Sequence, residues 1–263
     1  MYAFTLEQPR TLNDAKRLAT GGAQALAGGQ TLVAAMKQRL LQPGRLVDLG
    51  GVAELRGIKV DGKQLVIGAM TRHQDVSASA DVRKHIPALA ALAEGIGDRQ
   101  VRAMGTLGGS VANNDPAACY PSAVLGLGAT VVTDRREIAA DDFFQGLYTT
   151  ALQPGELITA IRFPVPAKAA YAKFRQPASR FALVGVFLAQ TAAGVRVAVT
   201  GGGNGVTRYP ALEAALGKSF TPEAARGVAI DASNLSSDLH ASAAYRAHLI
   251  SVQTQAAVRQ ANG

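Results

Sequence analysis

Two glycine-rich segments constrain this chain more than any other feature. The first is Ala27-Gly28-Gly29-Gln30-Thr31. It stands between a strand expected near 24–27 and a run of helical period over 31–41, with apolar residues at 32, 33, 36, 40 and 41. Paired glycines permit positive φ and let the backbone approach another group closely. A helix starting directly behind them leaves free N–H groups and the positive end of its dipole at the loop, so an anion is favoured there, most often a phosphate. Thr31 adds a hydroxyl at the mouth. Neither a P-loop nor the G-x-G-x-x-G fingerprint is present. Taken alone, a glycine pair of this kind is also an ordinary connector.

The second segment runs from Gly105 to Pro121 and opens Gly105-Thr106-Leu107-Gly108-Gly109-Ser110. It continues to Asn113-Asn114-Asp115-Pro116. Its small and hydroxyl or amide residues offer hydrogen bonds without bulk. It reads as a long loop able to wrap a polar ligand in an anion nest, with Leu107, Val111 and Ala112 as anchors. Two phosphate-compatible loops suit a ligand with a pyrophosphate and an extended body. A flavin dinucleotide fits, whereas a mononucleotide needs only one loop.

Around these segments the chain reads in three parts. Residues 1–50 are βαβ-like, with the spacing of a capping box at Thr11–Asp14, a strand at 46–49 and Pro43-Gly44 ending the helix before it. Residues 52–165 carry a hairpin across Asp61-Gly62, helices near 87–93 and 122–127, and strands near 129–133 and 157–163. A proline- and alanine-rich boundary spans 164–170. Beyond it lie an antiparallel pair at 181–189 and 195–200 and helices near 210–216, 222–229 and 241–260. With 48% apolar residues in 263, the chain has enough material for a sizeable core.

Composition excludes several classes. A single cysteine, Cys119, rules out a disulfide scaffold and any four-thiolate iron–sulfur cluster within the chain. Its neighbours supply no base, so it reads as a packing residue rather than a catalytic thiol. The four histidines, His73 and His85 among them, lack metal-ligand spacing, and no metal site is expected. The net charge is +8, yet the charges are scattered rather than striped, which argues against a nucleic-acid binder and for a solvated surface or one that faces an acidic partner. No apolar run spans a membrane and the start has no secretory pattern, so a cytoplasmic protein is expected.

The motifs AGGQT (27–31), VDL (47–49) and TLGGSVANNDPAACYP (106–121) resemble the flavin-binding medium subunits of molybdenum hydroxylases, the carbon monoxide dehydrogenase and xanthine dehydrogenase-like enzymes. ELITAIRFP (156–164) and YAKFRQPASRFALVGV (171–186) extend the resemblance over nearly the whole chain.

The resemblance implies an α+β fold. A vanillyl-alcohol-oxidase or PCMH-type FAD-binding domain would cover 1–165, with subdomains at about 1–51 and 52–165, followed by a small C-terminal α+β domain at 171–263. It implies that Ala27, Gly28, Gly29, Gln30 and Thr31 hold FAD phosphates through backbone amides. Thr106, Gly108, Gly109 and Ser110, with Asn114 and Asp115, would serve the pyrophosphate and ribityl side. Ile158 matches a position whose backbone approaches the flavin ring, and Arg175 one where relatives often carry a lysine near it. The sequence departs from the family at Gln30-Thr31, at Ser110, at Cys119, where many relatives have an acid, and at Arg175, whose fork geometry differs from lysine's. No residue is implied as catalytic.

Partners are implied as well: a small subunit with two [2Fe–2S] clusters, a large subunit with the molybdenum cofactor, a dimer of heterotrimers, and NAD⁺ or another electron acceptor. Lacking cluster motifs and a molybdenum domain, the chain is not expected to oxidise an organic substrate alone. An FAD-free assembly subunit and a stand-alone flavin oxidoreductase are the alternatives.

Overall fold

The computed structural model describes all 263 residues. The N-terminal part is a three-stranded parallel sheet: β1 (Thr5–Glu7), β2 (Gln24–Leu26) and β3 (Arg45–Asp48), in the order β1-β3-β2. Helices α1 (Leu12–Thr20) and α2 (Leu32–Lys37) make the crossovers. The Thr11 hydroxyl accepts the Asp14 N–H and donates to the Asp14 carboxylate, which fixes where α1 starts. Buried Ala15 and Ala19 on α1 pack with Val47, Leu49, Val52 and Leu55. Helix α2 is shorter than its apolar period predicts. It stops at Lys37, and Arg39 takes a left-handed φ of 60°, which turns Leu40 and Leu41 out to solvent.

The middle part is built on an antiparallel sheet. β4 (Ile58–Asp61) and β5 (Gln64–Gly68) form the expected hairpin, with Gly62 at φ 57° in the turn. Five helices follow: α3 (His73–Ala78), α4 (Ala80–His85), α5 (Pro87–Glu94), α6 (Arg99–Met104) and α7 (Leu107–Asn113). After them come α8 (Tyr120–Gly126), β6 (Thr130–Thr133), β7 (Glu137–Ala139), α9 (Ala140–Phe143), the short hairpin β8 (Phe144–Gly146) and β9 (Thr149–Thr150), and β10 (Ile158–Pro164). The sheet order is β4-β5-β10-β6-β7. The start of β10 is pinned by buried Glu156. Burial alone would raise its pKa, but ion pairing with Arg136, the Gln153 N–H and the Thr133 hydroxyl bring it down to about 2.

The segment expected to be one long loop from Gly105 to Pro121 is instead largely helical. It forms α7 and the start of α8. Two glycines disfavour a helix by roughly 1 kcal/mol each relative to alanine. Tertiary contacts overcome that cost here: an added Cβ on Gly108 would lie 2.5 Å from the Ala69 side chain, and the Gly108 N–H donates to the Ala69 carbonyl.

The C-terminal sheet is an antiparallel meander: β11 (Lys168–Arg175), β12 (Ala182–Thr191), β13 (Gly194–Thr200) and β14 (Thr207–Arg208). β11 begins inside the stretch expected to be a boundary. Helices α10 (Pro210–Lys218), α11 (Pro222–Arg226) and α12 (Ala243–Ala261) follow the sheet and share its core. β12 is buried over its first eight residues because both of its faces are covered. Val184, Val186 and Leu188 join the core with α12, while Phe187 and Ala189 join that of the middle part. Arg196 of β13 reaches across to the Leu125 carbonyl at the end of α8 and to Asp141. No helix is long and apolar enough to cross a membrane.

Phe187 ties the C-terminal sheet to α8, where Gly126 leaves room for its ring. Phe187→Ala is expected to destabilise the whole chain by about 3–5 kcal/mol in urea unfolding. A cost below about 1 kcal/mol would show that this face is not a packed interface.

Candidate functional site

The fold brings the two glycine segments into contact. An added Cβ on Gly28 would overlap the Met104 carbonyl oxygen and lie 2.7 Å from the Gly105 Cα. One on Gly109 would lie 3.1 Å from the Ala27 Cβ. Glycine at 28 is therefore required by the close passage of one backbone over another. Gly29 has φ 70°, a left-handed conformation that redirects the chain into α2.

The amides of the first loop are free. The N–H groups of Gly28, Gly29, Gln30, Thr31 and Leu32 donate no hydrogen bond within the chain. Thr31 precedes α2 without capping it, so its hydroxyl is also uncommitted. The Gln30 side chain folds back and donates to the Gly28 carbonyl at 3.2 Å, a hydrogen bond that shapes the loop. Gln30 and Thr31 are exposed. Unpartnered backbone donors ahead of a short helix form an anion-compatible surface.

The second segment does not form the expected nest of free amides. Leu107 donates to Thr71, Gly108 to Ala69, Gly109 to the Thr106 hydroxyl and Ser110 to the Thr106 carbonyl. These donors are spent on holding α7 in place. Half-buried Gly109 and Ser110 stand on the side that meets the first loop, and the Ser110 hydroxyl is uncommitted.

Asn114 caps the carboxyl end of α7. It is fully buried in a left-handed conformation, φ 46°, and its amide donates at 2.8 Å to both Gly146 and Thr149. Asp115 accepts the Ala117 N–H and the Tyr148 hydroxyl. Both residues therefore anchor the β8–β9 hairpin. Ile158 is a core residue at the start of β10; its neighbour Thr159 accepts the Ala69 N–H through its carbonyl, so this strand supports the platform on which Gly108 sits.

Arg175 is exposed at the end of β11, with Nη2 3.6 Å from where a Cβ on Gly95 would lie. The sequence reading missed Lys173, two residues earlier. Its ammonium donates to the Gly95 carbonyl at 3.1 Å and lies 3.3 Å from the Cys119 sulfur. Cys119 is buried in the core, in keeping with a packing role. The Tyr171 hydroxyl is buried nearby, and burial and the Cys119 thiol push its pKa well up. The resembling segments 106–121 and 171–186 meet in a crevice of about 210 Å³, where Pro116 and Ala117 stand with Gln176 and Phe181.

Beneath the junction of the loops lies His73. Its ring sits against Gly105, and its centroid is 5.3 Å from that of fully buried Tyr120. Burial, with a smaller contribution from Arg102, lowers its pKa to about 4, so the imidazole is neutral under the loops. No three His, Cys, Asp or Glu side chains come together as a metal site.

A family model described as the FAD binding domain in molybdopterin dehydrogenase matches residues 2–166. The carbon monoxide dehydrogenase medium chain of Afipia carboxidovorans is 39% identical over 215 residues, covering 78% of this chain and 72% of the relative. The glyceraldehyde dehydrogenase medium chain of Sulfolobus acidocaldarius is 32% identical and covers 98% of both chains. Among solved structures, carbon monoxide dehydrogenase from Hydrogenophaga pseudoflava superposes with a TM-score of 0.92 at 34% identity, over 99% of this chain and 97% of that one.

Two outcomes follow from this geometry. Gly28→Ala forces the loops apart and is expected to cost about 1–3 kcal/mol in urea unfolding, the range for overpacked sites; unchanged stability would mean that the loops do not touch. His73 makes stability pH-dependent. Its folded value of about 4 lies below the unfolded 6.5, so between these the unfolded chain holds the extra proton. Stability therefore falls as pH drops from 6.5 towards 4, by about 3 kcal/mol in all. His73→Gln is expected to flatten the slope between pH 6.5 and 5, and a slope that persists would assign it to other groups.

Proposed function

The chain belongs to the family of FAD-binding domains of molybdopterin dehydrogenases, and from that premise we propose that it is the electron-transfer medium subunit of a multi-subunit molybdenum hydroxylase. The redox chemistry of the relay, from two [2Fe–2S] clusters in a small partner subunit to NAD⁺ or another acceptor, is supplied by FAD when it is bound. A large partner subunit with the molybdenum cofactor oxidises the organic substrate, and the complex is a dimer of heterotrimers.

The observation that carries the reading is the row of five free amides over Gly28–Leu32, in a loop braced by the Gln30–Gly28 hydrogen bond and backed by Met104–Gly105. These groups suit the phosphates of FAD. In this proposal Ala27 to Thr31 bind the phosphates, and Gly109 and Ser110 offer the facing surface. Thr106 and Gly108 act by holding α7 beside the loop, and Asn114 and Asp115 by shaping the segment that follows. Ile158 supports the same platform. Lys173 and Arg175 place positive charge at the end of β11, where it favours a reduced, anionic cofactor over a neutral one.

Three sheets with largely separate cores support division into an FAD-binding domain over 1–165, split near residue 51, and a C-terminal domain over 171–263.

The test is direct. The purified chain is expected to carry flavin absorbance and to release one FAD per chain on denaturation. Gln30→Ala, which removes one hydrogen bond that shapes the loop, is expected to weaken FAD binding about two- to ten-fold with little change in unfolding. A protein that binds no FAD would favour a cofactor-free assembly subunit. Turnover of an organic substrate by this chain alone would contradict the subunit reading.

A further inference from the structure

We propose that Cys119 is a site of reversible oxidation, at which a peroxide converts the thiol to a sulfenic acid whose oxygen is held by Lys173 and Tyr171. The starting observation is a group of buried donors without an acceptor. The hydroxyls of Tyr171 and Thr200 are both buried, and neither has a hydrogen-bond partner. Leaving such groups unpaired is costly, so native interiors rarely do it. They face one notch: a Cβ added to Gly185 would lie 2.5 Å from the Tyr171 hydroxyl and 3.1 Å from that of Thr200.

Strand register explains why they meet. Lys173, Gly185 and Thr200 stand directly opposite one another across β11, β12 and β13. Tyr171, two residues before Lys173, shares that face of the sheet. The face is turned towards α8, where Tyr171 and Phe187 pack in the same core as Cys119. The Tyr171 hydroxyl accordingly lies beside the Cys119 thiol as well as beside Thr200.

Lys173 completes the set. Its ammonium is 3.3 Å from the Cys119 sulfur, donates to the Gly95 carbonyl at 3.1 Å, and pairs with no carboxylate. A cation and two hydroxyls thus gather at a sulfur, which is a weak acceptor. An oxygen on that sulfur is a strong one, and an ionised sulfenate also meets the ammonium's charge.

The step is a two-electron oxidation. Hydrogen peroxide gives up one oxygen to the sulfur: the O–O bond breaks, an S–O bond forms, and the second oxygen leaves as water. Cys119 is 5% exposed, which limits access to small oxidants of this kind. It is also the only thiol in the chain, so no disulfide within the chain can consume the acid. The step needs no bound cofactor and is independent of the proposed function.

The experiment treats the purified full chain with dilute hydrogen peroxide and traps sulfenic acid with a 1,3-diketone, read by intact mass and peptide mapping. Met104, 52% exposed, is the internal reference for oxidant dose. Trapped sulfenic acid at Cys119 is expected, and without the trap a thiol reductant is expected to reverse the oxidation. The acid is expected to form faster in the folded chain than in the urea-unfolded one, because only folding gathers the donors. A cysteine that is merely packed reacts in the opposite order, since burial shields it. Tyr171→Phe and Lys173→Met are each expected to slow the reaction of the folded protein about ten-fold, the loss of a hydrogen bond to a charged oxygen. The comparison of folded with unfolded chain uses the wild type alone, so it decides even where a variant fails to fold. Met104 sulfoxide without trapped Cys119, faster trapping on unfolding, or an unchanged rate in either folded variant overturns the proposal.

Discussion

The structure depends on one close passage: the backbone at Gly28 runs over the carbonyl of Met104 with no room for a side chain. That contact joins the parallel N-terminal sheet to the helices of the middle part. It also leaves the amides from Gly28 to Leu32 without partners. The layers beneath are set by similar constraints. Gly105 rests on the neutral ring of His73, and Gly108 rests on Ala69, whose N–H is held by β10. These three glycines thus stack a loop, a helix start and a strand closely enough that one side of the first loop is buttressed and the other stays open.

The C-terminal part completes the same scaffold from behind. β12 buries side chains on both faces, one against α12 and one against α8, so the sheet is a shared wall between two cores. Arg196 caps the carboxyl end of α8, where unpaired carbonyls favour a cation. Lys173 does the same for α5 through Gly95. The positive charge that composition showed only as a surplus of 27 basic over 19 acidic residues is therefore partly structural.

Much of this was legible in the sequence because its signals are local. The capping box at Thr11, the Asp61-Gly62 hairpin and the β12–β13 pair each lie within a short window, and each formed where expected. Helix α7 was not legible, because Leu-Gly-Gly-Ser has poor helix propensity and the compensating contact, Ala69, lies far away in sequence. β11 was hidden in an alanine-rich stretch whose alternation is weak. The first glycine loop keeps the free donors that its sequence suggests, whereas in the second the amides of Leu107–Ser110 are spent on holding α7. The meeting of Lys173 and Cys119 had no sequence signal, since separate elements supply the two residues.

The central claim is that the amides of the first loop, and not those of α7, receive the cofactor's phosphates. Residue-resolved hydrogen exchange with and without FAD tests it most directly. The account predicts rapid exchange at Gly28–Leu32 in the FAD-free chain and strong protection on binding, with Leu107–Gly109 protected in both states. Protection that appears on binding at Leu107–Gly109 while Gly28–Leu32 is unaffected would contradict it.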